Sequence, residues 1–302
     1  MQAAEADVLV EPATAALDII PLGEAIGAEI KGVDVASGVD DAQFQAVRDA
    51  LHRHGVIVLR DQHLTSTDQI AFSKRFGSMR VSFYNRYAVP DHPELTVVSN
   101  IVEDGRAIGI ADAGMLWHTD GSYLRTPDMY TLLYSLEIPQ ENGRALGDTL
   151  FVSSAAAYEA LPDVDRRRLE GQRAVHSFAH HLEKKRQSGN LKRAPLTEAQ
   201  KKETPDVDHP IVRTHPVTGR KCLYVTEGHT ASIVGLPEPE SAALLERLWA
   251  HLKTPAFIYR HTWRVGDLIV WDNCTAHHLA VFDYGERRRR LHRAGISGGV
   301  PI

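Results

Sequence analysis

Apolar positions along the chain fall mostly into short runs of β character, punctuated by glycine. Between Leu17 and Val35 such runs are broken by Gly23, Gly27 and Gly32, the pattern of strands joined by turns. Asp40 or Asp41 can cap a helix in which Phe44, Val47 and Leu51 share one face and Gly55 supplies the stop. The unbroken apolar run from Gly55 to Arg60 predicts a buried strand, and Thr65 to Phe76 predicts a second helix ending at Gly77. Further strands are expected at Leu95–Val102, Met129–Ile138, Phe257–Trp263, Asp267–Trp271 and Arg293–Ser297, with helices near Ser154–Leu161 and at Glu238–Leu252. In the last helix Leu244, Leu248 and Leu252 form an ordinary core-facing stripe. The stretch from His181 to His209 is polar and Lys-rich, has few apolar anchors, and reads as a long mobile loop.

Strands and helices do not alternate regularly, which disfavours a parallel α/β winding. The pattern predicts a mostly β fold with flanking helices around a double-stranded β-helix (jelly-roll) core. Residues 1–16 are small and acidic and read as a flexible N-terminal arm, leaving 17–302 as a single domain with a lid loop near 181–210.

Composition narrows the class without naming a function. The 302 residues are 43% hydrophobic and 24% charged, as in ordinary globular proteins, and the net charge of -5 argues against broad nucleic-acid or acidic-membrane binding. Two cysteines, Cys222 and Cys274, give no disulfide framework and suit a reducing compartment. The N-terminus lacks a signal-peptide pattern, and no apolar run approaches the roughly 18 residues of a membrane span. The expectation is a cytoplasmic homo-oligomer acting on a small-molecule substrate, with no nucleic-acid or membrane partner.

The chemistry-bearing pattern is Trp117-His118-Thr119-Asp120, followed far downstream by Trp271-Asp272-Asn273 and the pair His277-His278. Side chains alternate along a strand, so His118 and Asp120 would project to the same side. With one distant histidine they can form a 2-His-1-carboxylate set, which holds a non-haem Fe(II) on one face and leaves the opposite positions open. Alternation also means that only one of His277 and His278 can face the metal. In a chain with 16 histidines, His-x-Asp alone is a weak signal.

Its flanks add weight: Ser122, Gly147-Asp148-Thr149, the run from Gly266 to Asn273, then Arg289 and Arg293, in that order. Together with the segment Ala25–Asp34 and the helix end Arg75-Phe76-Gly77, they resemble the taurine/aryloxyacetate dioxygenase family of Fe(II)- and 2-oxoglutarate-dependent enzymes, from about Leu17 to Gly298. The resemblance implies His118, Asp120 and His278 as metal ligands and catalytic centre, since the family's second histidine follows the Asn of Trp-Asp-Asn by five residues. It implies Arg289 and Thr149 as partners of the far carboxylate of 2-oxoglutarate. Arg suits that role because its planar fork can pair bidentately with a carboxylate. Arg293 resembles the family's second pocket arginine, facing either the chelating carboxylate or an acidic group of the substrate. Asn100 is a further cosubstrate candidate, and Tyr84 and Arg86 are substrate candidates. One departure is a Pro139–Thr149 segment longer than the family's usual turn, directly before Thr149.

The implied cofactors are Fe(II), 2-oxoglutarate and O2. The implied reaction hydroxylates a small anionic organic substrate and releases succinate and CO2; retention of Asp120 argues against halogenation. Taurine is disfavoured, because Arg80–Tyr87 lacks the family's taurine-binding His and Gly114 stands where taurine enzymes carry an amide. The competing readings are a zinc-dependent hydrolase and a non-catalytic jelly-roll metal- or ligand-binding protein. Neither would require Thr149 and Arg289.

Overall fold

A computed structural model describes residues 17–81, 85–187, 189, 197, 198, 202 and 204–302. A nine-stranded, mostly antiparallel sheet forms its backbone. Its centre runs from Val56–Leu59 through Leu268–Asp272, Asp128–Glu137 and Arg290–Ser297 to His92–Ser99. The continuous apolar runs follow from burial on both faces. Along Leu268–Asp272, Leu268 and Val270 join the helix-facing core with Phe44, Val47, Leu51 and Phe72. Ile269 and Trp271 instead point inward, with Val56, Val58, Leu133, Phe151 and Leu291.

Two helices cover the outer face. Asp41–His54 carries the expected capping box, with Asp40 accepting from the Gln43 N–H, and ends at Gly55 in the left-handed conformation (φ 69°). Ser66–Lys74 is capped in the same way by Thr65 and Asp68. Opposite the inner face lies a three-stranded sheet with Thr149–Ser153 at its centre, flanked by Ile258–His261 and Ala276–Ala280. The two facing sheets make the jelly roll. A satellite core packs Glu238–Leu252 against Tyr158, Leu169, Ile211 and Leu223.

The stretch read as a loop from His181 is a correction. Phe178–Gln187 is an α-helix and Val207–Pro210 a strand; positions 188, 190–196, 199–201 and 203, which carry part of the expected lid, lie outside the described residues. The helix signal was present but thin. Ser177 Oγ accepts the His180 N–H as a cap, and Phe178 and Leu182 form an i, i+4 apolar pair. The expected arm at residues 1–16 also lies outside the described residues. Among those described, no helix is long and apolar enough to cross a membrane.

Candidate active site

Strand register builds the site. Phe151 pairs with His278 and Thr149 with Ala280, and His278 in turn forms an isolated antiparallel bridge with His118. His118 N–H donates to the His278 carbonyl (3.1 Å), and His278 N–H returns the bond to His118 (2.7 Å). Residues directly opposite in an antiparallel pair show their side chains on one face. Thr149, Phe151, His278 and His118 therefore all point inward, and the two imidazole centroids lie 4.1 Å apart. His277 falls on the other face, opposite Val152, in a recess beside Trp117 and Trp249. The expectation of a strand through His118 and Asp120 is too regular: His118 holds a single bridge, and Asp120 begins a turn.

The Trp-Asp-Asn motif places the carboxylate. Asn273 Oδ1 accepts the Asp120 N–H (3.1 Å) and the Trp271 indole N–H (3.0 Å), while Thr119 Oγ1 donates to the Asn273 carbonyl (2.8 Å). Asn273 Nδ2 donates to Thr131 Oγ1, which passes its own proton to Asp120 Oδ2 at 2.6 Å. Arg293 Nη2 lies 3.1 Å from the same Asp120 oxygen and 2.8 Å from Asp128 Oδ2. Burial opposes charge on Asp120, but Arg293, His278 and His118 outweigh it and hold the carboxyl well below its usual range.

The ligand atoms offered by His118, Asp120 and His278 lie within 4.8 Å of one another. His118 Nδ1 is 2.8 Å from the Leu116 carbonyl, which fixes the proton there and leaves Nε2 as a lone pair facing the site. Burial pushes the pKa of both histidines down, giving the neutral imidazoles that metal binding needs. The buried Nδ1 of His278 has no hydrogen-bond partner among the described residues. The donor set fits a divalent ion with open coordination positions.

A second grouping, His52, His215 and Asp272, has similar spacing and different chemistry. His215 Nδ1 accepts the N–H groups of Val217 and Thr218, so its proton sits on Nε2 and is donated to Asp272 Oδ2 at 2.6 Å. His52 Nε2 pairs with the Tyr130 hydroxyl. These are satisfied hydrogen bonds rather than free ligand atoms, and they fasten the turn carrying Asn273. Asp272 stands in the Trp-Asp-Asn motif, but nothing local in the sequence marks its partnership with His215 across 57 residues.

Two hollows meet at the triad. The smaller, about 70 Å³, is lined by Thr149, Arg289, Trp271 and His278 together with His118, Asp120 and Arg293. Arg289 is 5% exposed, has no carboxylate within 4.0 Å among the described residues, and leaves its Nε without a partner. Gly147 makes room for it: a Cβ there, at φ 77°, would lie 2.8 Å from Arg289 Nε. Thr149 Oγ1 accepts the Trp263 indole N–H at 3.0 Å, which frees the hydroxyl proton for another acceptor. The long Pro139–Thr149 segment folds back on itself as a hairpin through Asn142 and Gly143, both at positive φ, and leaves Thr149 in register. Arg287 and Arg288 pair at the surface with Glu141 and Glu137.

The larger hollow, about 300 Å³, opens on the other side of His118, Asp120 and Arg293, with Arg80, Tyr123, Phe178, Leu182 and Lys185 in its wall. Asn100 reaches neither: its amide donates to the Gly285 and Arg287 carbonyls and accepts the Arg289 N–H, so it supports the chain beside Arg289 rather than touching the pocket. Arg86 is likewise a correction, since it is exposed and lies over the Tyr87 ring at 4.6 Å. Tyr84 lies outside the described residues. Gly114 lines both hollows at φ 83°, and a Cβ there would sit 3.0 Å from that of Ala280.

Residues 18–294 match the taurine catabolism dioxygenase TauD, TfdA family. The chain belongs to this family. The dioxygenase is 35% identical over 280 residues to pentalenolactone F synthase of Streptomyces arenae, covering 90% of this chain and 93% of that one. It is 32% identical to the alpha-ketoglutarate-dependent 2,4-dichlorophenoxyacetate dioxygenase of Burkholderia sp. strain RASC, covering 89% and 91%. A taurine dioxygenase structure from Burkholderia xenovorans superposes with a TM-score of 0.78 at 33% identity, covering 95% of this chain and 91% of that one. The dioxygenase is thus a 2-oxoglutarate-dependent oxidoreductase, and its jelly roll is the family's fold.

Proposed function

We propose that this dioxygenase hydroxylates a small organic anion, consuming 2-oxoglutarate and O2 and releasing succinate and CO2, with Fe(II) held by His118, Asp120 and His278. The observation that carries the reading is Arg289, a buried guanidinium with no carboxylate partner among the described residues, in the hollow that also contains the triad and Thr149. A buried cation calls for an anion, and a dicarboxylate spanning from the triad to Arg289 satisfies it. When bound, the iron and 2-oxoglutarate supply the oxidative decarboxylation that activates O2.

The chain's own contribution is placement. Arg289 and the Thr149 hydroxyl proton bind the far carboxylate of 2-oxoglutarate. Asn273, Thr131 and Arg293 fix Asp120 so that it presents one oxygen to the ion. Phe178, Leu182, Ile110 and Leu124 give the larger hollow apolar walls, which hold a substrate C–H bond near the centre and exclude bulk water. Anaerobic addition of Fe(II) and then 2-oxoglutarate tests the reading. A visible metal-to-ligand charge-transfer band is expected, and its absence at saturating 2-oxoglutarate would discard it.

A further inference from the structure

Asp128 is a buried carboxylate, 3% exposed, clamped by two arginines. Arg80 Nε donates to its Oδ1, and Arg293 Nη2 donates to its Oδ2 at 2.8 Å. Arg80 is held in turn by the Thr126 carbonyl at 2.6 Å.

Arg293 is thereby shared between two carboxylates. The same Nη2 lies 3.1 Å from Asp120 Oδ2, longer than the roughly 2.7–2.9 Å of a good charge-assisted bond. An arginine and a carboxylate left to themselves pair through two parallel bonds, the guanidinium fork taking both oxygens. Here the fork meets Asp120 at a single atom, and the nearer partner of that atom is Asp128. The other Asp120 oxygen, Oδ1, lies 3.7 Å from His118 Nε2, the lone pair that faces the metal site. Oδ1 is therefore the oxygen the ion needs, and a two-pronged pair with Arg293 would take it.

The strand carrying Arg293 leaves room for this sharing. Gly295 stands opposite Thr131 and, two positions after Arg293, on the same face. A Cβ at Gly295 would lie 2.8 Å from Asp128 Oδ2 and 3.3 Å from Arg293 Nη1. Its φ is not positive, so the close approach of the ion pair, rather than the backbone conformation, calls for glycine.

We propose that Asp128 is a positioning residue for the metal centre: by holding Arg293 at Nη2 it stops the guanidinium from closing on both oxygens of Asp120 and keeps Oδ1 free for the ion. This rests on Asp120 as a metal ligand and adds the residue that governs its availability.

Calorimetric titration of the metal-free protein with Co(II) reads the effect without turnover. Asp128→Asn keeps the shape of the side chain and should weaken Co(II) binding about tenfold, the lower end of what residues behind metal ligands contribute. Asp128→Asn combined with Arg293→Lys carries the same site charge but no fork, because an ammonium is a point charge. The double variant should recover most of the loss. Gly295→Ala leaves every charge in place, presses on the same pair, and should also weaken Co(II) binding. Unchanged affinity in Asp128→Asn or in Gly295→Ala overturns the proposal. So does a double variant as weak as the single one, which would make the loss a matter of charge or folding alone. Should Asp128→Asn fail to fold, Gly295→Ala decides by itself. If the wild type takes up no Co(II), or His278→Ala binds it equally well, the metal assignment under the proposed function falls too; otherwise only the role of Asp128 falls.

Discussion

Asn273 accepts the backbone N–H of Asp120 at 3.1 Å, so a residue 153 positions downstream sets the orientation of the candidate carboxylate ligand. The same side chain accepts from Trp271 and donates to Thr131, and it is fully buried. Asn273→Ala should leave at least two buried donors unpaired and cost roughly 3–5 kcal/mol of stability at 1–3 kcal/mol per orphaned group. Thermal unfolding should show a lower Tm, and 2-oxoglutarate turnover should fall further than stability alone accounts for. Wild-type turnover in Asn273→Ala would remove the motif from the positioning of Asp120.

The bridge between His118 and His278 separates two neighbouring histidines by function. His278→Ala should abolish the anaerobic band produced by Fe(II) and 2-oxoglutarate. His277→Ala deletes a side chain in the recess beside Trp249 and should keep the band while lowering Tm. The opposite pair of results would put the wrong histidine at the metal.

Arg289 and Thr149 give a prediction confined to the cosubstrate. Arg289→Gln should weaken 2-oxoglutarate binding by about 2–4 kcal/mol, roughly 30- to 1,000-fold, the cost of removing one side of a buried charge pair. Thr149→Val removes one hydroxyl and should cost about 1 kcal/mol, or roughly fivefold. Titration of the anaerobic band with 2-oxoglutarate measures both, and equal affinities in wild type and Arg289→Gln would leave the buried cation unexplained.

The buried histidines predict acid lability. Burial, with help from Arg290 and His92, pushes His292 down to about 4, and burial pushes His176 well below its ordinary value. Both are neutral in the folded and unfolded chains at high pH. As pH falls below about 6.5 the unfolded chain takes up protons that the folded one refuses, so stability is present above that pH and drains away towards 4. Each group contributes a slope of up to about 1.4 kcal/mol per pH unit in that window. Tm followed from pH 7.5 to 5.0 should fall with increasing steepness, and a flat profile would mean that these imidazoles are not held neutral.

The large sheet and its two covering helices were legible because each is specified locally. Asp40 and Thr65 are side-chain caps, Gly55 is a left-handed stop, and the β-branched runs are long enough to count. Thr149, Arg289 and the triad were assigned from resemblance; what register adds is a physical reason that Thr149, His118 and His278 share a face. Helix Phe178–Gln187 escaped notice because its buried face mixes Phe178 and Leu182 with His181 and Lys185, so its polarity looks like a loop's until the hollow it lines is known. The contacts of Asp272 with His215, and of Asn100 with the chain at Gly285 and Arg287, are long-range and leave no periodic trace.

His118 and Asp120 belong to no regular strand; the bridge to His278 and the side chains of Asn273, Thr131 and Arg293 hold them in place. The segments on either side, Ile110–Gly114 and Gly121–Leu124, form walls of the larger hollow. Neither belongs to a strand of the two sheets; Ile110 and Gly114 are tied to them by backbone bonds to Val97, Ser99 and Ala280, and the side chains between those anchors can be recoloured while the backbone bonds stay. Such a construction lets selection exchange the substrate while leaving the oxidising chemistry intact, and lets an engineer redesign selectivity in these loops and in helix Phe178–Gln187 without rebuilding the metal centre.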